Sequence, residues 1–435
     1  MDNWVMGKLR EWRLPAWYAG FALYAAGVAL FSGLGQDHWW GAWAAGGYAI
    51  AAVMAVLAHV AGRRSARRRQ VLVAASVAVS VAGALIAPTA WLMATASALP
   101  DVTVVARSGV LLLHHGTPYL PLGVLASGGW LAYNPYLPVM ALFGLPGALG
   151  VPGGTRPALI VVTFLVLYAT FRVMRAPGRA ALGWAAFAVS CPIMAFPLAM
   201  GITDPPVIAL TCLALALLAR WPGRGGARAV RRSLLLAAVV LGVACAMKYT
   251  AWPALAVTAV MVSTRDGIRA GIRFAGTALG TAAALVAALA PAALAHPASI
   301  AANTVAYPLG LTTAKSPAQS PLPGHLLATL GPGGHLAALV LLVVAGLAIA
   351  ASLVIAAPAG PAGAAVRIAI GLSALFALSP ATRWGYFIYP LALIAWGTLD
   401  RRSRRGSPEP ATRPDQDLRA SVLASADAWP VSTTG

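Results

Sequence analysis

Long apolar runs separated by short arginine clusters constrain this chain more than any other feature of its sequence. A helix needs about 20 apolar residues to cross the hydrocarbon core, within a range of roughly 17 to 25. Twelve segments approach that length: 16–34, 41–61, 71–99, 157–173, 180–200, 205–221, 233–247, 250–264, 274–295, 335–356, 365–380 and 384–399. Lipid offers backbone N–H and C=O groups no water to bind, so such runs are expected to be helical. Composition agrees. A water-soluble domain is about half apolar and a quarter charged, whereas this chain is 60% apolar and 10% charged over 435 residues. The expected fold class is all-α, a polytopic transmembrane helical bundle of about 12 spans over residues 1–399, followed by a polar, disordered cytoplasmic tail over 400–435.

The formal charge of +20 would suit nucleic acid if the basic residues formed one face. They fall instead in clusters between apolar runs, so nucleic acid is not an expected partner and the charge reads as an orientation signal. Arg63, Arg64, Arg67, Arg68 and Arg69 form one cluster. Arg172, Arg175 and Arg179, then Arg224, Arg228, Arg231 and Arg232, then Arg265, Arg269 and Arg273 form others, and Arg401, Arg402, Arg404 and Arg405 close the series. Placing all of them inside puts both termini in the cytoplasm of a multi-pass cell-membrane protein, with the functional face extracytoplasmic. The same parity divides the stretch Ser233 to Thr264 into two short helices meeting at Lys248-Tyr249-Thr250. Lys8, Arg10 and Arg13 precede a first run long enough to span, which reads as an uncleaved anchor. Cys191, Cys212 and Cys245 lie in apolar runs without ligand spacing, so they are expected to be packing residues.

Two outer loops are longer than the rest, residues 100–156 and 296–334. The first opens with Asp101 and a stretch whose residues Val102, Val105, Gly109 and Leu112 suit a helix lying in the interface. Its Tyr119, Trp130, Tyr133 and Tyr136 belong at headgroup level. Val139 to Gly150 is too short to cross and is expected to dip into the outer leaflet or lie on it.

Of 11 acidic residues, topology leaves Asp37, Asp101 and Asp204 outside. Charges near lipid are costly and tend to be functional. Asp101 reads either as a helix N-cap or as a general base where a membrane substrate meets water. Asp204, before Pro205 and Pro206, reads as a helix start or as support for a site, and Asp37 as a solvated turn residue. Among the outer cations, Lys248 and Arg383 together would bind a phosphate or diphosphate, with Arg107 a further candidate; anchoring to lipid headgroups is the alternative. Asn134, in Asn134-Pro135-Tyr136, is a turn residue that could also hold a sugar, with Tyr119 and Tyr136 beside it. His114 and His115 are adjacent on a helix and so face different ways. No metal site and no cofactor are expected.

Gly116-Thr117-Pro118-Tyr119-Leu120, Tyr133-Asn134-Pro135-Tyr136-Leu137-Pro138 and Arg383-Trp384-Gly385-Tyr386, behind an acid that opens the first large outer loop, form a pattern. It resembles the GT-C class of membrane glycosyltransferases, and within it the actinobacterial polyprenyl-phosphate-mannose-dependent mannosyltransferases. The resemblance implies a GT-C-like fold with Asp101 as catalytic base. It also implies a polyprenyl-phosphate-linked sugar donor and a glycan or glycolipid acceptor, with membrane lipids as surroundings. The competing class is a transporter or lipid flippase, which would carry charges deep in several helices or broken helices in matching halves.

Overall fold

A computed structural model describes residues 13–220 and 227–405. The basic start at Lys8 and Arg10, Arg224 of the third cluster, and the tail from residue 406, expected to be disordered, lie outside the described residues.

The described chain is helical, with one isolated bridge between Gln319 and Thr382. The main helices are α1 (Arg13–Phe31), α2 (Gly35–Gly62), α3 (Ala66–Ala94), α4 (Pro100–His115), α5 (Thr155–Val173), α6 (Gly178–Ser190) and α7 (Pro192–Met200). They continue with α8 (Asp204–Ala219), α9 (Ala227–Cys245), α10 (Trp252–Asp266), α11 (Ile268–Leu289), α12 (Pro332–Ile355), α13 (Pro361–Leu378) and α14 (Ile388–Arg405). Every expected span thus has a helix on it. By length and composition, however, seven of these helices can cross a membrane, or eight if α6 and α7, which meet at 68°, count as one. The remainder fall short for visible reasons: α8 and α10 have 16 and 15 residues, and α9 and α14 carry arginines inside their bounds.

Burial sorts the helices. Leu23, Leu30, Phe31, Val354 and Ile355 are all more than 70% exposed, an arrangement that water would oppose and lipid favours. By contrast, 13 of the 16 residues of α8 are buried. A helix apolar all round belongs inside a bundle, and α8 is packed on by α5, α9, α13 and α14.

Small residues set the closest approaches. A Cβ built on Gly47 of α2 would stand 2.7 Å from the Cα of Gly83 in α3. The neighbour is backbone and cannot rotate away, so Gly47→Ala is expected to destabilise the protein by about 1–3 kcal/mol, the usual cost of overpacking. A fall in the thermal unfolding midpoint of the detergent-solubilised variant checks this. Gly83 lies in a π-helical turn, Ala82–Ile86, and the indole of Trp40 donates to the Ala84 carbonyl there at 2.9 Å.

The expected interfacial helix is α4, bounded by Pro100 and by Gly116 in the left-handed conformation. The segment expected to dip into the outer leaflet forms a 3-10 helix, Pro138–Gly144, and one α-turn, Leu145–Ala148. Val139, Met140, Ala141 and Phe143 are buried, packed on α4, α5 and α11. Protein therefore covers these residues, because the absence of a Cβ lets Gly109 and Gly144 bring the two backbones together. The expected break after α9 falls at Met247 and Lys248, followed by a 3-10 turn, Tyr249–Ala251, and α10. Cys191, Cys212 and Cys245 are free thiols.

Candidate functional site

Three chain segments far apart in sequence meet at the N-terminus of α4. Proline at the first position of α4 needs no hydrogen-bond partner, and Leu99, not Asp101, is the N-cap. Of the two readings of Asp101, the cap is not the one seen: Asp101 makes no cap bond, and its carboxylate points to side chains. Oδ1 accepts a 2.5 Å hydrogen bond from the Tyr136 hydroxyl, and Oδ2 faces Nη1 of Arg383 at 3.3 Å. The Asp101 side chain is 12% exposed and that of Arg383 is 32%.

Tyr136 is held from two directions. The Asn134 side chain accepts from the Tyr136 N–H at 3.0 Å and donates to Ser108 of α4 and to the Pro118 carbonyl. The Asn134 N–H donates to Asn303 at 2.7 Å, tying the first long loop to the second. Beyond Tyr136, the N–H groups of Leu137 and Val139 donate to the Met247 and Ala246 carbonyls, which helix ends otherwise leave unsatisfied. Docking on that helix end sets the Tyr136 ring over Lys248.

Arg383 is placed by the second long loop. Thr382 donates its N–H to Ala318 and accepts from the Ser320 N–H, and the Trp384 N–H donates to the Ser320 hydroxyl. A histidine ring nitrogen, on His325, lies 2.9 Å from the Pro380 carbonyl.

Beneath this pair is a second one. The Lys248 ammonium contacts Asp204 Oδ1 at 2.5 Å, with side chains only 7% and 2% exposed. Tyr389 of α14 donates to the same carboxylate oxygen at 2.8 Å and lies 2.7 Å from the Thr250 hydroxyl. The ammonium is also 5.4 Å from the Tyr136 ring centre and 5.5 Å from that of Tyr386, within cation–π range. Lys248, expected to face a bound phosphate, and Asp204, expected to start a helix or to support a site, are partners inside the protein. Asp204 does open α8, without a cap bond.

The local field follows from these contacts. Burial drives the Tyr136 phenol well above its ordinary pKa, and the neighbouring Asp101 charge adds to the rise. It therefore remains a donor to Asp101 across the physiological range. Burial works to lower the Arg383 pKa, but Asp101, Tyr386 and Tyr136 outweigh it and the net shift is upward.

The other expected site residues are occupied locally. Arg107 donates to the carbonyls of Leu131 and Ala132 at 2.6 and 3.0 Å, holding the turn before Tyr133. Tyr119 donates to the Tyr136 carbonyl at 2.9 Å and is buried. Asn134 is 2% exposed with its side chain fully engaged. Asp37, expected as a solvated turn residue, is half-buried in the first turn of α2 and accepts from the Ser32 hydroxyl at 2.7 Å. It lines a groove of about 430 Å³ with Tyr24, Gly27, Val28, Ser32 and Phe196, none of which belongs to the Asp101 cluster. Among the described residues, no group of three or more His, Cys, Asp or Glu side chains could hold a metal ion.

Residues that sequence reasoning missed include Tyr389, Thr250, Ser108 and Asn303. Their common signal is a polar side chain in an otherwise apolar run, and Asn303 in Ile300-Ala301-Ala302-Asn303 shows it most clearly. In comparisons with known proteins, no family model, no curated protein and no solved structure matches this chain.

Proposed function

We propose that this chain is an integral membrane glycosyltransferase that moves a sugar, mannose by the resemblance of its motifs, from a polyprenyl-phosphate donor to an extracytoplasmic glycan or glycolipid acceptor. The observation that carries this reading is the meeting of Asp101 and Arg383, 282 residues apart, with both side chains partly exposed at the N-terminal end of α4. One carboxylate and one guanidinium suffice for the step. The acceptor hydroxyl oxygen attacks the anomeric carbon from the face opposite the phosphate, with inversion, and its proton passes to Asp101. The carbon–oxygen bond to phosphate breaks, and the electron pair leaves with the polyprenyl phosphate. That leaving group is already an anion, so no general acid is needed and Arg383 stabilises its charge. The step as written uses no cofactor.

The same reading has all twelve helical segments crossing, with both termini cytoplasmic. Its test is transfer by the purified protein in vesicles that contain a radiolabelled polyprenyl-phosphate mannose and a mannoside acceptor. Labelled product is expected, and the absence of transfer from any polyprenyl-phosphate sugar would remove the proposal. Sidedness is checked in parallel with Thr313→Cys, exposed in the second long loop. A membrane-impermeant maleimide is expected to label it in intact cells, while labelling only after lysis would invert the topology.

One observation favours a transporter: α6 and α7 meet at 68° where Pro192 interrupts the run, and broken helices are used to build substrate sites in transporters. A second break in a matching half is lacking among the described residues, and Asp101, Asp204, Lys248 and Arg383 stand at or beside helix ends. The transferase reading accounts for more of the site.

A further inference from the structure

We infer that the Asp101–Arg383 ion pair is a latch opened by the donor's phosphate, so that arrival of the lipid phosphate frees the base. The inference rests on the transferase reading and specifies the order of events at that site. Three observations carry it.

Asp101 is held unequally by its two partners. The 2.5 Å bond from Tyr136 is short, whereas 3.3 Å to Arg383 lies beyond the usual length of a charge-assisted hydrogen bond. Tyr136 is itself fixed by Asn134 and by the end of α9. Departure of Arg383 would thus leave the carboxylate in place and expose Oδ2.

Arg383 also differs from the other arginines of the outer region. Arg107 donates to two backbone carbonyls, and Arg156 to the Ser97 carbonyl at 2.5 Å. The Arg383 guanidinium has Asp101 as its one hydrogen-bond acceptor among the described residues and is 32% exposed. Most of its five N–H donors are therefore available to a planar array of phosphate oxygens.

The third observation is Lys248. Its closure onto Asp204, under Tyr136 and Tyr386, leaves Arg383 as the cation of this cluster that a ligand can reach. Phosphate and Asp101 then compete for one guanidinium. While it is paired, the base is masked by a cation; once the phosphate holds it, Oδ2 is open to the acceptor hydroxyl. Donor binding would precede productive acceptor binding.

A double-mutant cycle on the full chain in nanodiscs tests this, with farnesyl phosphate as the probe and inorganic phosphate and farnesol as comparisons. Asp101→Asn is expected to tighten farnesyl phosphate binding by about two- to fivefold, the range that a partly exposed ion pair supports. Arg383→Gln is expected to weaken binding, and adding Asp101→Asn to it should then change nothing, because the competition has been removed. Arg383→Lys, which keeps the charge and loses the planar donors, should show a reduced coupling and covers the case in which the glutamine variant does not fold. Inorganic phosphate following the same pattern more weakly identifies the phosphate as the competing group. A response to farnesol of the same size would overturn the latch.

An equal gain from Asp101→Asn with and without Arg383 would show simple charge repulsion and overturn the exchange. So would the absence of any gain. Both results leave the transferase reading standing, since that reading fails by a different outcome: no farnesyl phosphate binding by the wild-type protein, or no transfer from any polyprenyl-phosphate sugar.

Discussion

Asp101→Asn, in reconstituted protein saturated with polyprenyl-phosphate sugar, is expected to reduce transfer by about 10²- to 10⁴-fold, the usual contribution of a positioned general base. An amide oxygen keeps the shape of the carboxylate and still accepts from the Tyr136 hydroxyl, so the anchoring bond survives. What disappears is the ability to take a proton and the charge that faces Arg383. That ion pair is partly exposed, and such pairs contribute about 0–1 kcal/mol. The thermal unfolding midpoint should accordingly move little while turnover collapses. An asparagine variant with near-normal turnover would assign the base elsewhere, and one that unfolds far below wild type would make Asp101 a structural residue. Tyr136→Phe provides an intermediate case: the carboxylate remains but loses its tether, so transfer should fall less than in the asparagine variant.

Much of the helical layout was legible in the sequence because apolar run length is a direct physical requirement of lipid. Even the break at Lys248 was legible, since a single crossing over Ser233 to Thr264 would have put the arginine clusters on either side of it on opposite faces of the membrane. The number of crossings was less so. Segments such as Asp204–Ala219 are apolar because protein surrounds them, and an apolar run looks the same whether lipid or other helices cover it. At the site, the sequence showed which residues bear charge but not which charges cancel. Lys248 and Asp204 stand 44 positions apart, and nothing in either local motif announces the pairing. Arg107 read as a phosphate ligand for the same reason: its carbonyl partners, Leu131 and Ala132, are brought to it only by the fold of the first long loop. Asp101 and Arg383 stood out in the sequence because the expected topology left few ionic groups outside, and scarcity is visible in sequence.

The buried pair makes the largest structural prediction. Asp204→Ala leaves the Lys248 ammonium without its counter-charge in a protein interior and removes the acceptor of the Tyr389 hydroxyl. Breaking one side of a buried pair costs about 3–5 kcal/mol, a large part of a stability that is usually about 5–15 kcal/mol. The variant is expected to unfold at a markedly lower temperature in detergent or to be lost from the membrane fraction. The double variant Asp204→Leu/Lys248→Met should recover most of that loss, because an apolar pair of similar volume avoids the desolvation that the ions incur. A single variant that melts with the wild type would show that water reaches the pair and that its burial is not maintained. Activity then separates two roles. If the double variant is stable and active, the pair only fills and fixes the ends of α8 and α9. If it is stable but slow, the ammonium between the rings of Tyr136 and Tyr386 also holds Tyr136 in register, and through Tyr136 the carboxylate of Asp101.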